Sequence, residues 1–297
     1  MTGIIVKALS SFYYVEAEGL VYECKARGNF RKSGFSPLVG DKVEIGALDA
    51  SHGVINSILP RKNALKRPNV ANIDKLFIVS SYSTPAPNTL IIDKITALAR
   101  YNDIEPIIVF NKADMGDFSQ FERIYKNAGF KTYVVSAQNG NGMEELIEEL
   151  KNSVSAFTGN SGVGKSSILN YLFGNQSIAT GEVSEKLGRG RHTTRHIEAF
   201  KLPTGGFVVD TPGFSAIEHD NNDYNFKEAL AECFADFGDN IWGCRFTSCT
   251  HTKEAGCKVL EAVKSGEIEP TRHESYVEIF NELKDLKPWN AIKKQNR

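Results

Sequence analysis

The chain has 297 residues, 41% hydrophobic and 24% charged, a balance that excludes a fibrous or grossly disordered protein and leaves room for two or three cores. Its formal charge of -1 supplies no long-range field, so a nucleic-acid partner would have to be met by a local basic patch. No stretch is apolar enough to span a bilayer, and the start Met1-Thr2-Gly3-Ile4 lacks the apolar run of a secretory signal; the expectation is a cytoplasmic protein, with no membrane partner and with reduced cysteines.

Over the first sixty residues, short β-rich runs alternate with turn residues: Phe12 to Val15, Leu20 to Cys24, Lys42 to Ile45 and Gly53 to Asn56. That spacing predicts a small barrel, read as an OB-like β-barrel over residues 1–63; a five-stranded barrel without a nucleic-acid role fits the spacing equally. The basic residues Lys25, Arg27, Arg31, Lys32, Arg61, Lys62, Lys66 and Arg67 are interleaved with Phe12, Tyr13, Tyr14, Tyr22 and Phe30. Such a mixture suits a stacking surface for RNA, or a solvated surface over an aromatic core. Pro60 to Asn69 is basic and bracketed by prolines, and the linker is placed at 64–72.

From Ile73 apolar strand runs alternate with helical periodicity: Leu76 to Val79, Ile107 to Phe110, Thr132 to Val135, Val154 to Phe157 and Phe207 to Val209. Alternation of this kind predicts a parallel sheet with helices on both faces, over 73–220, with ligands bound beyond the carboxyl ends of the strands. Three motifs fall there. The first is Asn111-Lys112-Ala113-Asp114. A carboxylate at Asp114 can accept both N1–H and the N2 amino group of guanine, whereas beside adenine it would be left unpaired. Asn111 would meet the N7/O6 side, the Lys112 stem would lie along the ring, and Ser136 and Ala137, after the next strand, would supply a backbone N–H to the guanine O6.

The second motif, Gly159-Asn160-Ser161-Gly162-Val163-Gly164-Lys165-Ser166-Ser167, is a complete phosphate loop between a strand and a helix. Its glycines let backbone N–H groups face the phosphates, Lys165 reaches the β- and γ-phosphates, and Ser166 would hold magnesium. The third is Asp210-Thr211-Pro212-Gly213, with Asp210 suited to the magnesium shell and the Gly213 N–H to the γ-phosphate. GTPases ordinarily run phosphate loop, aspartate-magnesium motif, guanine motif. Here the guanine motif precedes the phosphate loop, so the domain is predicted to be circularly permuted, which compact domains with neighbouring ends tolerate.

The region 221–297 carries Cys244, Cys249, His251 and Cys257 within a short polar loop. Three thiolates and an imidazole match the tetrahedral demand of one structural zinc ion, and a small loop-rich segment that cannot build its own core gains folding free energy from it; reduced buried cysteines or a redox pair is the other reading of the cluster. Cys24 and Cys233 lie outside this cluster and read as buried small hydrophobes. The fold class expected is multidomain α/β: an N-terminal OB-like β-barrel, a central circularly permuted P-loop GTPase domain and a C-terminal helical zinc-binding domain.

These features, together with Gly188-Arg189-Gly190-Arg191-His192-Thr193-Thr194 and Asp210-Thr211-Pro212-Gly213-Phe214, make the chain resemble, over essentially its whole length, the ribosome small-subunit-dependent GTPases called RsgA, also YjeQ or YloQ. The resemblance implies a slow GTPase converting GTP to GDP, stimulated by RNA, that acts late in maturation of the small ribosomal subunit and contacts its rRNA; a monomer is expected. Phe214 stands where familiar GTPases place a water-orienting Gln, and His192 takes that role in the resembling family. Either Thr193 or Thr194 would close on magnesium. Gly162 replaces the Asn of potassium-activated relatives. A GTP-regulated switch whose barrel and zinc modules bind polypeptide remains a second reading, and a catalytically silent GTP binder a third.

Overall fold

The computed structural model describes residues 1–27, 30, 36–66, 68–82, 86–174, 197–210 and 224–287, with the side chains of Lys66, Asp210 and Tyr224 left out. Five strands open the chain: β1 (Thr2–Leu9), β2 (Phe12–Ala17), β3 (Leu20–Ala26), β4 (Lys42–Ala47) and β5 (His52–Ile58). They pair in the order β1-β2-β3-β5-β4 and close through β1 and β4; β3–β5 is the parallel pair and the others are antiparallel. Alternate positions point inward, and Ile5, Val15, Cys24, Val43 and Ile55 are wholly buried. At Gly3 a Cβ would lie 2.6 Å from the Glu16 carbonyl oxygen, so β1 can cross β2 this closely only without a side chain. Tyr22, one of the aromatics interleaved with the basic residues, is buried in the core, as the aromatic-core reading has it.

The stretch read as a linker forms a short hairpin of β6 (Ala64–Lys66) and β7 (Asn69–Ala71). Side-chain amides stitch it down. Asn63 donates to the Ile73 carbonyl at 2.8 Å and accepts from the Ile73 N–H at 3.0 Å, while Asn72 accepts from the Lys62 N–H at 2.8 Å and donates to the Gly40 carbonyl at 3.0 Å. Asp41, fully buried, accepts from Arg61 Nε at 2.7 Å, from Arg61 Nη2 at 2.8 Å and from the Leu38 N–H at 2.7 Å. Arg61, a candidate RNA contact by sequence, is therefore a structural counter-ion inside the barrel unit.

The central elements are β8 (Lys75–Ser81), α1 (Thr89–Tyr101), β9 (Glu105–Asn111), α2 (Ser119–Asn127), β10 (Thr132–Val135), α3 (Met143–Leu150), β11 (Val154–Thr158), α4 (Lys165–Phe173), β12 (Glu198–Lys201) and β13 (Phe207–Asp210). β9–β10 and β11–β13 are parallel, and β12 runs antiparallel to β13. Burial along almost all of β8 and β9 is the signature of strands covered on both faces. β12 also meets the barrel: β1 pairs with β4 through Thr2, Gly3 and Ile4, shifts register between Ile5 and Lys7, and then pairs Lys7 with Glu198.

The C-terminal part consists of α5 (Tyr224–Cys233), a 3-10 segment (Ala235–Ile241), α6 (Lys258–Ser265) and α7 (Pro270–Leu283). Pro270 opens α7 where no N–H is needed, and Gly266 ends α6 in the left-handed conformation. Phe226, Leu230, Phe234, Phe237, Tyr276 and Ile279 form its core together with Ala97 and Leu98 of α1. The chain divides into two compact units. One holds the barrel, α3, β11, α4, β12 and β13; the other holds α1, β9, α2, β10, Gly159–Val163 and the C-terminal helices.

Candidate nucleotide site and metal centre

After β11 the backbone turns at Gly159, φ +138, where a Cβ would lie 2.1 Å from the Val79 carbonyl oxygen. Only glycine meets both conditions. Gly162 and Gly164 follow with φ of +83 and +93, and α4 begins at Lys165 with no side chain capping it. A glycine-shaped loop running into a helix N-terminus without a side-chain cap is the arrangement that receives phosphate oxygens. Ser161, Ser166 and Ser167 are exposed, Asn160 is half-buried and Val163 is buried. Burial pulls the Lys165 ammonium below the ordinary lysine value, a penalty that a bound polyphosphate would offset. Ser166 is exposed, and a hydroxyl is the kind of hard oxygen donor that magnesium takes.

The guanine motif is braced against this loop. Asn111, 2% exposed, donates from Nδ2 to the Val163 carbonyl at 3.0 Å and accepts from the Ala137 N–H at 3.2 Å. Lys112 adopts φ +65 and donates from Nζ to the Gly162 carbonyl at 2.7 Å. Ser136, buried, donates from Oγ to Asp114 Oδ1 at 2.5 Å, while Asp114 itself is exposed. Thus Asn111, Lys112, Asp114, Ser136, Ala137 and the tip of the phosphate loop meet within one unit, although 50 residues separate Lys112 from Gly162. β13 delivers the Asp210 backbone. The Asp210 side chain, His192, Thr193, Thr194, Gly213 and Phe214 lie outside the described residues.

At the other site, one ligand atom from each of Cys244, Cys249, His251 and Cys257 lies within 4.8 Å of the others. His251 Nδ1 is 3.7 Å from Cys244 Sγ and 3.5 Å from Cys257 Sγ, close to the spacing of about 3.5–4 Å between ligands of a tetrahedral zinc ion. Burial pushes the Cys249 thiol up to about 12 and raises Cys257 as well, so a cation is what would hold them as thiolates. Burial also lowers His251, favouring the neutral imidazole that binds metal. The loop is shaped around the ligands. His251 has φ +57, its carbonyl lies 2.8 Å from His273 Nε2, and the Tyr276 hydroxyl donates to the Thr250 carbonyl at 2.9 Å. The Glu254 carboxylate gathers the N–H groups of Thr250, Thr252 and Lys253 at 3.0–3.1 Å. The donor set fits zinc.

On the barrel, Ser10, Ser11, Tyr13, Arg27, Phe30 and Pro37 line a cleft of about 250 Å³, and Lys25 sits over the Phe12 ring at 5.1 Å. Cys24 and Cys233 are buried. One group of residues had no local signal in the sequence: Arg272, Asp93 and Asp236, joined as a buried ion cluster.

Two family models match, the RsgA N-terminal domain over residues 2–55 and the RsgA GTPase over residues 58–220. The "Small ribosomal subunit biogenesis GTPase RsgA" of Caldanaerobacter subterraneus subsp. tengcongensis is 46% identical, over 95% of this chain and 96% of its own. A solved structure of YjeQ from Thermotoga maritima superposes with a TM-score of 0.82 at 37% identity, covering 96% of this chain and 99% of that one. YloQ, described as a circularly permuted GTPase, gives 0.81 at 34% identity, over 97% and 96%.

Proposed function

The chain belongs to the RsgA family of circularly permuted GTPases and is a GTP hydrolase, and on that premise we propose that it acts late in maturation of the small ribosomal subunit, binding its rRNA and turning over faster when engaged. The observation that carries this reading is that the likeness to relatives named for small-subunit biogenesis covers 95% of the chain and spans barrel, permuted domain and metal loop together. A monomer working in the cytoplasm, divided at 1–63, 64–72, 73–220 and 221–297, completes the proposal.

In this reading Asp114 pairs with the guanine edge, the Ala137 N–H, which also meets Asn111 Oδ1, is shared with O6, and Asn111 and Lys112 brace the base loop on the phosphate loop. The backbone from Gly159 to Ser167 cradles the phosphates, and Lys165 balances the charge that moves onto the β–γ bridging oxygen as its bond to the γ-phosphorus breaks. His192 orients the attacking water, since Phe214 has no group to do so, and the Gly213 N–H senses the γ-phosphate. Ser166 and Asp210, with Thr193 or Thr194, would hold magnesium, which supplies charge neutralisation on the phosphates. Cys244, Cys249, His251 and Cys257 would hold one structural zinc. Tyr13, Lys25, Arg27 and Phe30 on the barrel offer stacking and charge to rRNA.

Multiple-turnover GTP hydrolysis measured with purified small subunits, with large subunits and with neither tests the reading. Strong stimulation by small subunits alone is expected, and its loss in His192→Ala; equal rates in the three reactions would overturn the partner, and an unaltered stimulated rate in the variant would overturn the role of His192.

A further inference from the structure

Arg272 of α7 heads the fully buried side chains of the described residues by size. It donates from Nη1 to Asp93 Oδ1 of α1 at 2.5 Å, and from Nη2 and Nε to the Asp236 carboxylate at 2.7 and 3.1 Å. Its guanidinium lies against the rings of Phe234 at 4.6 Å and Phe130 at 5.1 Å. Burial alone would weaken its hold on the proton, but Asp93 and Asp236 outweigh burial and keep it charged. Such a cluster is a poor choice for adhesion, because well-packed apolar residues of similar volume stabilise as much or more. What it adds is register: a planar donor between two carboxylates fits one position of α1 and no other.

Another face of α1 explains why that position matters. Ile91, Ile92 and Ile95 line, with Gly159, Asn160 and Val163, a cleft of about 20 Å³, room for about one water molecule. The helix that carries Asp93 thus faces the tip of the phosphate loop across this cleft, with the C-terminal core on Ala97 and Leu98.

We propose that Arg272 is a positioning residue for nucleotide binding: by locking Asp93 to Asp236 it fixes the register of α1, and α1 holds Gly159–Val163 in the shape that receives phosphate. The C-terminal module thereby sets nucleotide affinity without touching the nucleotide. The proposal rests on the reading of Gly159 to Ser166 as the phosphate loop.

The test is titration of the full-length protein, its zinc content measured, with a fluorescent N-methylanthraniloyl-GDP, alongside steady-state hydrolysis. Arg272→Gln is expected to weaken binding by about tenfold, a usual size for coupling between sites, and to raise KM while kcat at saturating GTP is unchanged. Arg272→Lys, which keeps the charge but loses the planar fork, should recover little of the affinity, and Asp93→Asn combined with Arg272→Gln should be no worse than Arg272→Gln alone. Wild-type affinity in zinc-loaded Arg272→Gln overturns the proposal. Lys165→Ala separates the two levels: its binding must fall if the loop is the phosphate site, and undiminished binding there would sink that reading and not the relay alone. Should Arg272→Gln not fold, hydrogen exchange on the unaltered chain decides. GDP should slow exchange in α1 and around Arg272; protection confined to the phosphate loop and Asn111 to Asp114 overturns the relay.

Discussion

Asp114 is exposed beside a buried Ser136 that holds one of its oxygens, so the carboxylate is held in one orientation. Replacing it with Asn exchanges one acceptor for a donor, which mismatches the guanine amino group and matches the C2 carbonyl of xanthine. Asp114→Asn should therefore lose GTP affinity by about 1–3 kcal/mol and gain affinity for XTP, as competitive titrations of the two nucleotides would report; unchanged preference for GTP would remove Asp114 from base reading. Residues of this kind were legible because their chemistry lies in consecutive positions, as in Asn111 to Asp114 or Gly159 to Ser166. Arg272 was not legible. Its partner Asp93 is 179 residues away, and nothing local distinguishes an Arg committed to a core from one on a surface. Arg61 illustrates the same blindness, since it lies in a basic stretch yet serves the buried Asp41.

At the scale of elements, the metal loop has its own order apart from the ligands. Glu254 draws together three backbone N–H groups and the Thr250 hydroxyl. Burial raises its carboxyl, but those donors prevail and bring it to about 2, from an ordinary 4.5. Because the folded-state value is depressed, the stabilisation is complete above pH 4.5 and is lost as pH falls toward 2. Glu254→Gln should then be less stable near neutrality by roughly 2 kcal/mol, after discounting for partial exposure. The gap between its melting midpoint and that of the parent should close as pH drops from about 4.5 toward 2; a constant gap would assign Glu254 to shape and not to charge. The ligand spacing was readable because all four residues lie in one short loop. The hairpin β6–β7 was hidden by its prolines and charges, and the amide stitching by Asn63 and Asn72 is what turns that stretch into structure.

Across the whole molecule, the order of motifs disclosed the permuted domain, because order is a property of sequence alone. What sequence concealed was which basic residues face outward and which serve the interior. Arg61→Ala leaves Asp41 buried without a counter-ion and should cost about 3–5 kcal/mol in denaturant unfolding of the full chain. Arg27→Ala, on the open cleft, should leave stability intact and lower the salt slope of rRNA affinity by about one phosphate contact. The reverse pattern would return Arg61 to the RNA surface.

The two-partner character of β1 has a consequence during synthesis. Its first half is closed by β4 once the barrel is made, but Lys7 waits for Glu198, 191 residues downstream. At translation rates of about 5–20 residues per second that interval is roughly ten to forty seconds, during which part of the nascent barrel presents an unpaired edge. A lysine at that edge is a gatekeeper against mispairing between neighbouring nascent chains, and only later an ion-pair partner.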